Sequence, residues 1–183
     1  MAHYLPVRPW CSLILHEQMP RTTVGAHKGR SLLFPMEKIY EQYVGVGLRQ
    51  WLPPNSRLVT ESKGRWLTQH RERDWFHLLP DYLIEHNGQH VVADAKWKIL
   101  DSTKDSRKEK YDLSETDFYQ LFAYGQKFLN GTGTMYLFYP KTSGFTAPLP
   151  PFHFNELLQL HVVPFDLETG RPVGEPTSYV PFY

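Results

Sequence analysis

The chain has 183 residues, 41% of them hydrophobic and 21% charged, a balance that suits one globular domain with a real apolar core and excludes a disordered tail. Its formal net charge is only +1, so composition gives no argument for nucleic acid, and any basic surface must come from local clustering. The lone Cys11 excludes an intramolecular disulfide and a cysteine-based zinc cluster. No apolar run nears the roughly 18 residues of a membrane span, so the expectation is a cytoplasmic protein that enters no membrane.

In chain order, residues 9–19 read as a short helix and 21–30 as a basic surface loop, together an N-terminal segment over 1–33. A catalytic core is expected over 34–165 and an irregular tail over 166–183, all within a single domain. From 35 to 51 the positions Met36, Ile39, Tyr40, Tyr43, Gly47, Leu48 and Trp51 follow helical spacing, and Pro53-Pro54 stops the helix. Residues 57–60 and 66–68 look like short strands around a Lys63-Gly64 turn, followed by a charged connector over 71–74.

Two apolar runs within 75–100 flank Asn87-Gly88, the strongest short signal for a two-residue hairpin turn. A polar, lysine-rich segment over 102–110 follows. Ser114 with Asp117 makes a capping-box-like start for a helix to about residue 130, with an apolar face of Phe118, Leu121, Phe122, Gly125 and Phe128 and a stop at Gly131. Residues 134–139 and 157–163 read as further buried strands. The sum is an α/β sandwich, with no repeats.

The hairpin makes a site. With Asn87 and Gly88 as the loop, His86 faces Gln89, Leu83 faces Val92 and Asp81 faces Asp94. Directly opposed carboxylates, with Cβ atoms roughly 4.5–5.5 Å apart, are destabilising unless a positive group lies between them, and a divalent metal is the economical solution. Strand alternation puts Asp94, Lys96 and Lys98 on one face, and Ala93, Ala95, Trp97 and Ile99 on the other. Hard oxygen ligands beside an amine suit magnesium or manganese and phosphodiester hydrolysis. The competing reading is a solvated hairpin face with Lys96 as a salt-bridge partner, and spacing alone does not separate the two.

Pro80-Asp81, followed after twelve residues by Asp94-Ala95-Lys96, resembles the PD-(D/E)XK nuclease superfamily. More narrowly, the segments LLFPMEKIYEQYV at 32–44, DAKWK at 94–98, YQLFAYG at 119–125 and YPK at 139–141 resemble, in order and spacing, the McrC family, the nuclease subunit of McrBC methylcytosine-dependent restriction systems.

The resemblance spans roughly residues 9–141 and implies a restriction-endonuclease-like mixed central sheet flanked by helices. It implies that Asp81, Asp94 and the main-chain carbonyl of Ala95 bind Mg2+, or Mn2+, and that Lys96 assists the attacking water. Glu41 adds an acidic group, with Glu37, one turn away, as the competing choice. Gln120 and Tyr124 resemble a glutamine–tyrosine pair beside the site, set against a packed tyrosine with a surface glutamine. The partners implied are double-stranded DNA and an McrB-like AAA+ GTPase. In that family the GTPase is usually engaged through an amino-terminal region ahead of the segment at which this chain begins.

The chain carries no phosphate-binding GxxxxGK[ST] loop, so GTP would be hydrolysed by another polypeptide. Lys98, Lys104, Arg107, Lys108 and Lys110 could contact phosphates, set against a solvated, flexible loop. Trp97 and Phe122 are expected in the core, and His70, His77, His86 and His90 lack zinc-ligand spacing. The first functional expectation is the DNA endonuclease of a modification-dependent restriction complex. The alternatives are a RecB-like repair or recombination nuclease and a non-catalytic adaptor on the same fold.

Overall fold

A computed structural model describes residues 35–60 and 64–174. By its contacts the chain divides into two compact units, Met1–Phe34 and Pro35–Tyr183. The expected N-terminal helix and loop lie outside the described residues, as does the end of the tail.

The second unit is a mixed α/β structure. Its central sheet runs β1 (Arg57–Val59), β4 (Tyr82–His86), β5 (Gln89–Ala95), β6 (Gly133–Pro140), β8 (Leu158–Asp166), β7 (Phe152–His153), and β9 (Arg171–Pro172) also pairs with β8. β5, β6 and β8 are parallel, while β1, β4 and β7 join antiparallel. Helix α1 (Met36–Trp51) packs on one face and helix α2 (Glu115–Phe128), the crossover between β5 and β6, on the other.

Alternation along the strands sorts the core. Ile84, Val91, Ala93, Tyr136, Phe138 and Phe165 turn toward Tyr40, Val44 and Leu48 of α1. Val92, Met135, Leu137, Leu160 and Val162 turn toward Leu121, Tyr124 and Phe128 of α2. The hairpin register is the expected one, with His86 opposite Gln89 and Leu83 opposite Val92. Asn87 and Gly88 both take positive φ, 49° and 80°, as a turn matched to strand twist requires.

Several sequence expectations change. On α1 the buried face is Tyr40, Val44, Gly45, Gly47 and Leu48, whereas Met36, Ile39 and Tyr43 are exposed; a stripe drawn through every apolar residue was too wide. Ser114 makes no side-chain cap for α2, so the capping-box reading of Asp117 fails. The strands at 57–60 and 66–68 do not pair with each other: β1 joins β4, and a separate two-stranded arm forms from β2 (Arg65–His70) and β3 (Arg73–Leu78). The supposed charged connector over 71–74 is that arm's turn and the start of β3. The tail also has order, since β8 runs to Asp166 and Val173 donates to the Pro164 carbonyl at 2.8 Å. Tyr43 donates to the Leu167 carbonyl, and Gly47 sits where a Cβ would lie 2.2 Å from the Gly170 oxygen, so the tail turn lies directly on α1.

Candidate active site

The candidate residues gather where β5 ends. Its ladder stops at Ala95, short of the expected residue 100, but the Lys96 amide still bonds to the Phe138 carbonyl of β6 at 2.9 Å. Alternation therefore survives one step further. Trp97 falls on the α1 side, its ring 5.4 Å from Tyr40, and Lys98 falls on the α2 side, its Nζ 2.9 Å from Asp117.

Asp81 stands one residue before β4, at the position the register extends opposite Asp94. Its Oδ2 accepts the Ala95 amide at 2.8 Å, which ties the start of one strand to the end of the other. Asp94 is 1% exposed, and Lys96 Nζ lies 2.6 Å from its Oδ2. That buried oxygen is therefore held by the Lys96 ammonium.

Burial dominates the electrostatics. It pushes Asp81 up to about 6, helped by the charge of Glu41 and opposed by the Ala95 amide and Lys96. Burial and then the Asp81 charge push Asp94 up to about 7 against the pull of Lys96. For Lys96, burial disfavours the charge, but Asp94 with Asp81 and Asp117 outweighs it and holds the ammonium above the ordinary lysine range.

A polar chain supports the lysine. Lys96 Nζ donates to Gln120 Oε1 at 3.1 Å, Gln120 Nε2 donates to the Tyr124 hydroxyl at 2.7 Å, and that hydroxyl donates to the Leu79 carbonyl at 2.8 Å. Gln120 and the buried Tyr124 both belong to a path from Lys96 to the backbone two residues before Asp81. Glu41 reaches the site electrostatically from α1, and its carbonyl accepts the Tyr82 hydroxyl; Glu37, on the same helix, is exposed.

Asp117 was missed. It is 6% exposed, accepts from Lys98 and from the Tyr139 hydroxyl, and raises Asp94 through its charge. The sequence signal was present, because Asp117, Gln120 and Tyr124 fall at i, i+3 and i+7 on one helix face.

The proposed phosphate contacts separate into two sets. Lys98, Lys104 and Lys110 are engaged by Asp117, Asp112 and Glu115, whereas Arg107 and Lys108 are exposed and in no ion pair among the described residues. The segment carrying them is folded, not a loose loop: Asp101 donates to the Tyr111 carbonyl, Tyr111 to that of Lys104, and Ser102 to that of Gly144. Trp97 and Phe122, expected in the core, are 37% and 43% exposed, each with a ring contact, to Tyr40 and Phe154. Among the described histidines, His86 bonds to Ser56 and Asn87, His90 faces Glu85, His77 lies against Trp66 and His70 against Trp75.

A hard divalent cation fits this donor set. Two buried carboxylates lie together with their charged forms disfavoured, a condition that a cation between them relieves. Among the described residues no three His, Cys, Asp or Glu side chains group around one point, so a cation here would need ligands beyond these side chains.

Comparison with known proteins agrees with the motif order. The family described as McrBC 5-methylcytosine restriction system component matches residues 1–140. No curated protein matches the chain in sequence. Among solved structures, the fold is similar to a chain in the tetradecameric assembly of Thermococcus gammatolerans McrB AAA+ hexamers with bound McrC. The TM-score is 0.54 at 18% identity, over 74% of this chain and 29% of that one, so this chain spans less than a third of that neighbour. On the family match, which spans most of its length, the chain belongs to the McrBC 5-methylcytosine restriction system components.

Proposed function

We propose that the chain is a magnesium-dependent DNA endonuclease of the PD-(D/E)XK type, the cleavage component of a methylcytosine-directed restriction system acting on double-stranded DNA with an McrB-like AAA+ GTPase. The observation that carries this reading is the pair of buried carboxylates, Asp81 and Asp94, drawn together at the end of β5 with the Lys96 ammonium 2.6 Å from Asp94. A purely structural ion pair would not need the second carboxylate, which opposes it.

Asp81, Asp94 and the Ala95 carbonyl would hold the ion, with Glu41 adding negative charge from α1. Magnesium, or manganese in its place, supplies Lewis-acid polarisation of a phosphodiester and a lowered pKa for water when bound. The rest falls to the side chains. Lys96, 2.6 Å from Asp94, would assist the attacking water and balance charge growing on the phosphoryl oxygens. Gln120 fixes the lysine, and Tyr124 fixes Gln120 to the Leu79 carbonyl, so the amine is aimed before substrate arrives. One such site cuts one strand, and a double-strand break needs two copies brought together.

The test uses the full chain. Mn2+ is expected to raise the melting temperature of the wild type and not of Asp81→Asn. Lys96→Ala is expected to keep the Mn2+ response and lose nicking of supercoiled plasmid, with partner GTPase added. Equal Mn2+ responses in wild type and Asp81→Asn would remove the metal site. A strict requirement for free DNA ends would favour the repair-type nuclease, and Mn2+ binding with full retention of the partner but no cleavage would favour the adaptor.

A further inference from the structure

The β2–β3 arm is exposed at nearly every position, and among the described residues each of its strands pairs only with the other. Trp66 is opposite His77, Thr68 opposite Trp75, and His70 opposite Arg73, so these six side chains share a face. The Trp66 and His77 rings lie 4.4 Å apart, and those of His70 and Trp75 lie 5.7 Å apart. Trp66 and Trp75 nevertheless remain 42% and 47% exposed. Between the two tryptophan-bearing pairs, Phe76 takes φ 59°, a conformation bulky side chains rarely adopt, and is 64% exposed.

The opposite face of the arm is already used. Arg65 reaches the Lys127 carbonyl and lies 5.3 Å over the Phe128 ring of α2, Leu78 packs against the α2-side core, and Asp74 is bonded by Gln69. The ring-bearing face carries no carboxylate. Beyond β3 the chain passes through Leu79, whose carbonyl the Tyr124 hydroxyl holds, directly to Asp81. The arm and the candidate active site thus share one hydrogen-bonded root.

We infer that the Trp66–Trp75–His70–His77 face of the arm is a docking surface for the nucleobases of the strand presented to Asp81 and Asp94. On that face Trp66, Thr68 and His70 lie opposite His77, Trp75 and Arg73, so it offers flat rings beside one guanidinium. Stacking on aromatic side chains accepts any base, and Arg71 and Arg73 at the tip are placed for the backbone phosphates. This inference rests on the reading of the neighbouring site as one that acts on DNA.

The experiment measures fluorescence anisotropy of a labelled 20-nucleotide oligothymidylate and of a 20-base-pair duplex, with the full chain in EDTA. Trp66→Ala/Trp75→Ala is expected to weaken single-strand binding about tenfold or more. Trp66→Phe/Trp75→Phe should restore most of it, and unchanged far-ultraviolet circular dichroism would show the fold intact. Equal weakening on the duplex would overturn the inference, because paired bases offer no free face to stack on. Wild-type binding no tighter than that of the alanine variant overturns the inference, as does a sedimentation result in which those substitutions dissolve a dimer and leave DNA affinity unchanged. Because binding is read without metal, a chain that binds the strand but never cuts would keep this inference and lose the endonuclease reading.

Discussion

The β4–β5 and β2–β3 hairpins use the same turn on opposite terms. Both close through two residues at positive φ: Asn87 and Gly88 at 49° and 80° in one, Arg71 and Glu72 at 47° and 61° in the other. The first has the residues that turn favours and buries Tyr82, Ile84, Val91, Val92 and Ala93; the second has two charged side chains in a strained conformation and buries almost nothing. A hairpin that must hold a register for chemistry is overdetermined by turn and core together. One that only presents a surface can be held by its root.

Stability separates them most. Ile84→Ala in β4 removes a 3% exposed side chain between α1 and the sheet and is expected to cost about 2–5 kcal/mol by chemical denaturation. Trp75→Ala in β3 removes a larger side chain yet should cost under about 1 kcal/mol, because its ring is already half in water. Equal losses would mean that the arm is part of the core and not an appendage.

The same contrast decides what the sequence could reveal. Asn87-Gly88 announces its turn, and the turn alone brings Asp81 to Asp94, so the centre of the candidate site follows from counting residues. Arg71-Glu72 carries no turn signal, and the sequence reading made the tip of the arm a connector. Asp117 was hidden differently: three residues after Ser114 it has the local pattern of a capping box, and only the crossover of α2 over β5 turns it toward Lys98. Pairing between distant segments, such as β1 with β4, leaves no local trace either, since nothing in 57–59 specifies its neighbour.

The next effect is electrostatic and belongs to the buried hairpin. In the folded chain Asp81 and Asp94 hold protons up to about 6 and about 7, while in the unfolded chain ordinary carboxyls lose them near pH 4. Between those limits the folded state binds more protons, so the pair's contribution to stability is full below about pH 4 and falls as pH rises through 6–7. Without divalent metal, melting temperature should decline over that window. Asp94→Asn should flatten the decline by roughly 1–3 kcal/mol of stability, and Mn2+ should reverse it in the wild type. A wild-type profile as flat as that of the variant would contradict the burial argument.

At the turns the two hairpins should respond with opposite signs. A Cβ at Gly88 meets nothing within 4 Å, so Gly88→Ala isolates the cost of φ 80° and should destabilise by about 1 kcal/mol. Glu72→Gly should do the reverse, relieving φ 61° in an exposed turn that carries no contact to lose. Its gain is the smallest here, up to about 1 kcal/mol, because glycine also adds freedom to the unfolded chain. It is also the most discriminating. If Glu72→Gly stabilises the chain and leaves strand binding alone, the strained tip is incidental to the arm's task. A stabilised variant that binds the oligothymidylate more weakly would mean that the strain at Arg71-Glu72 is kept because it aims the arginines.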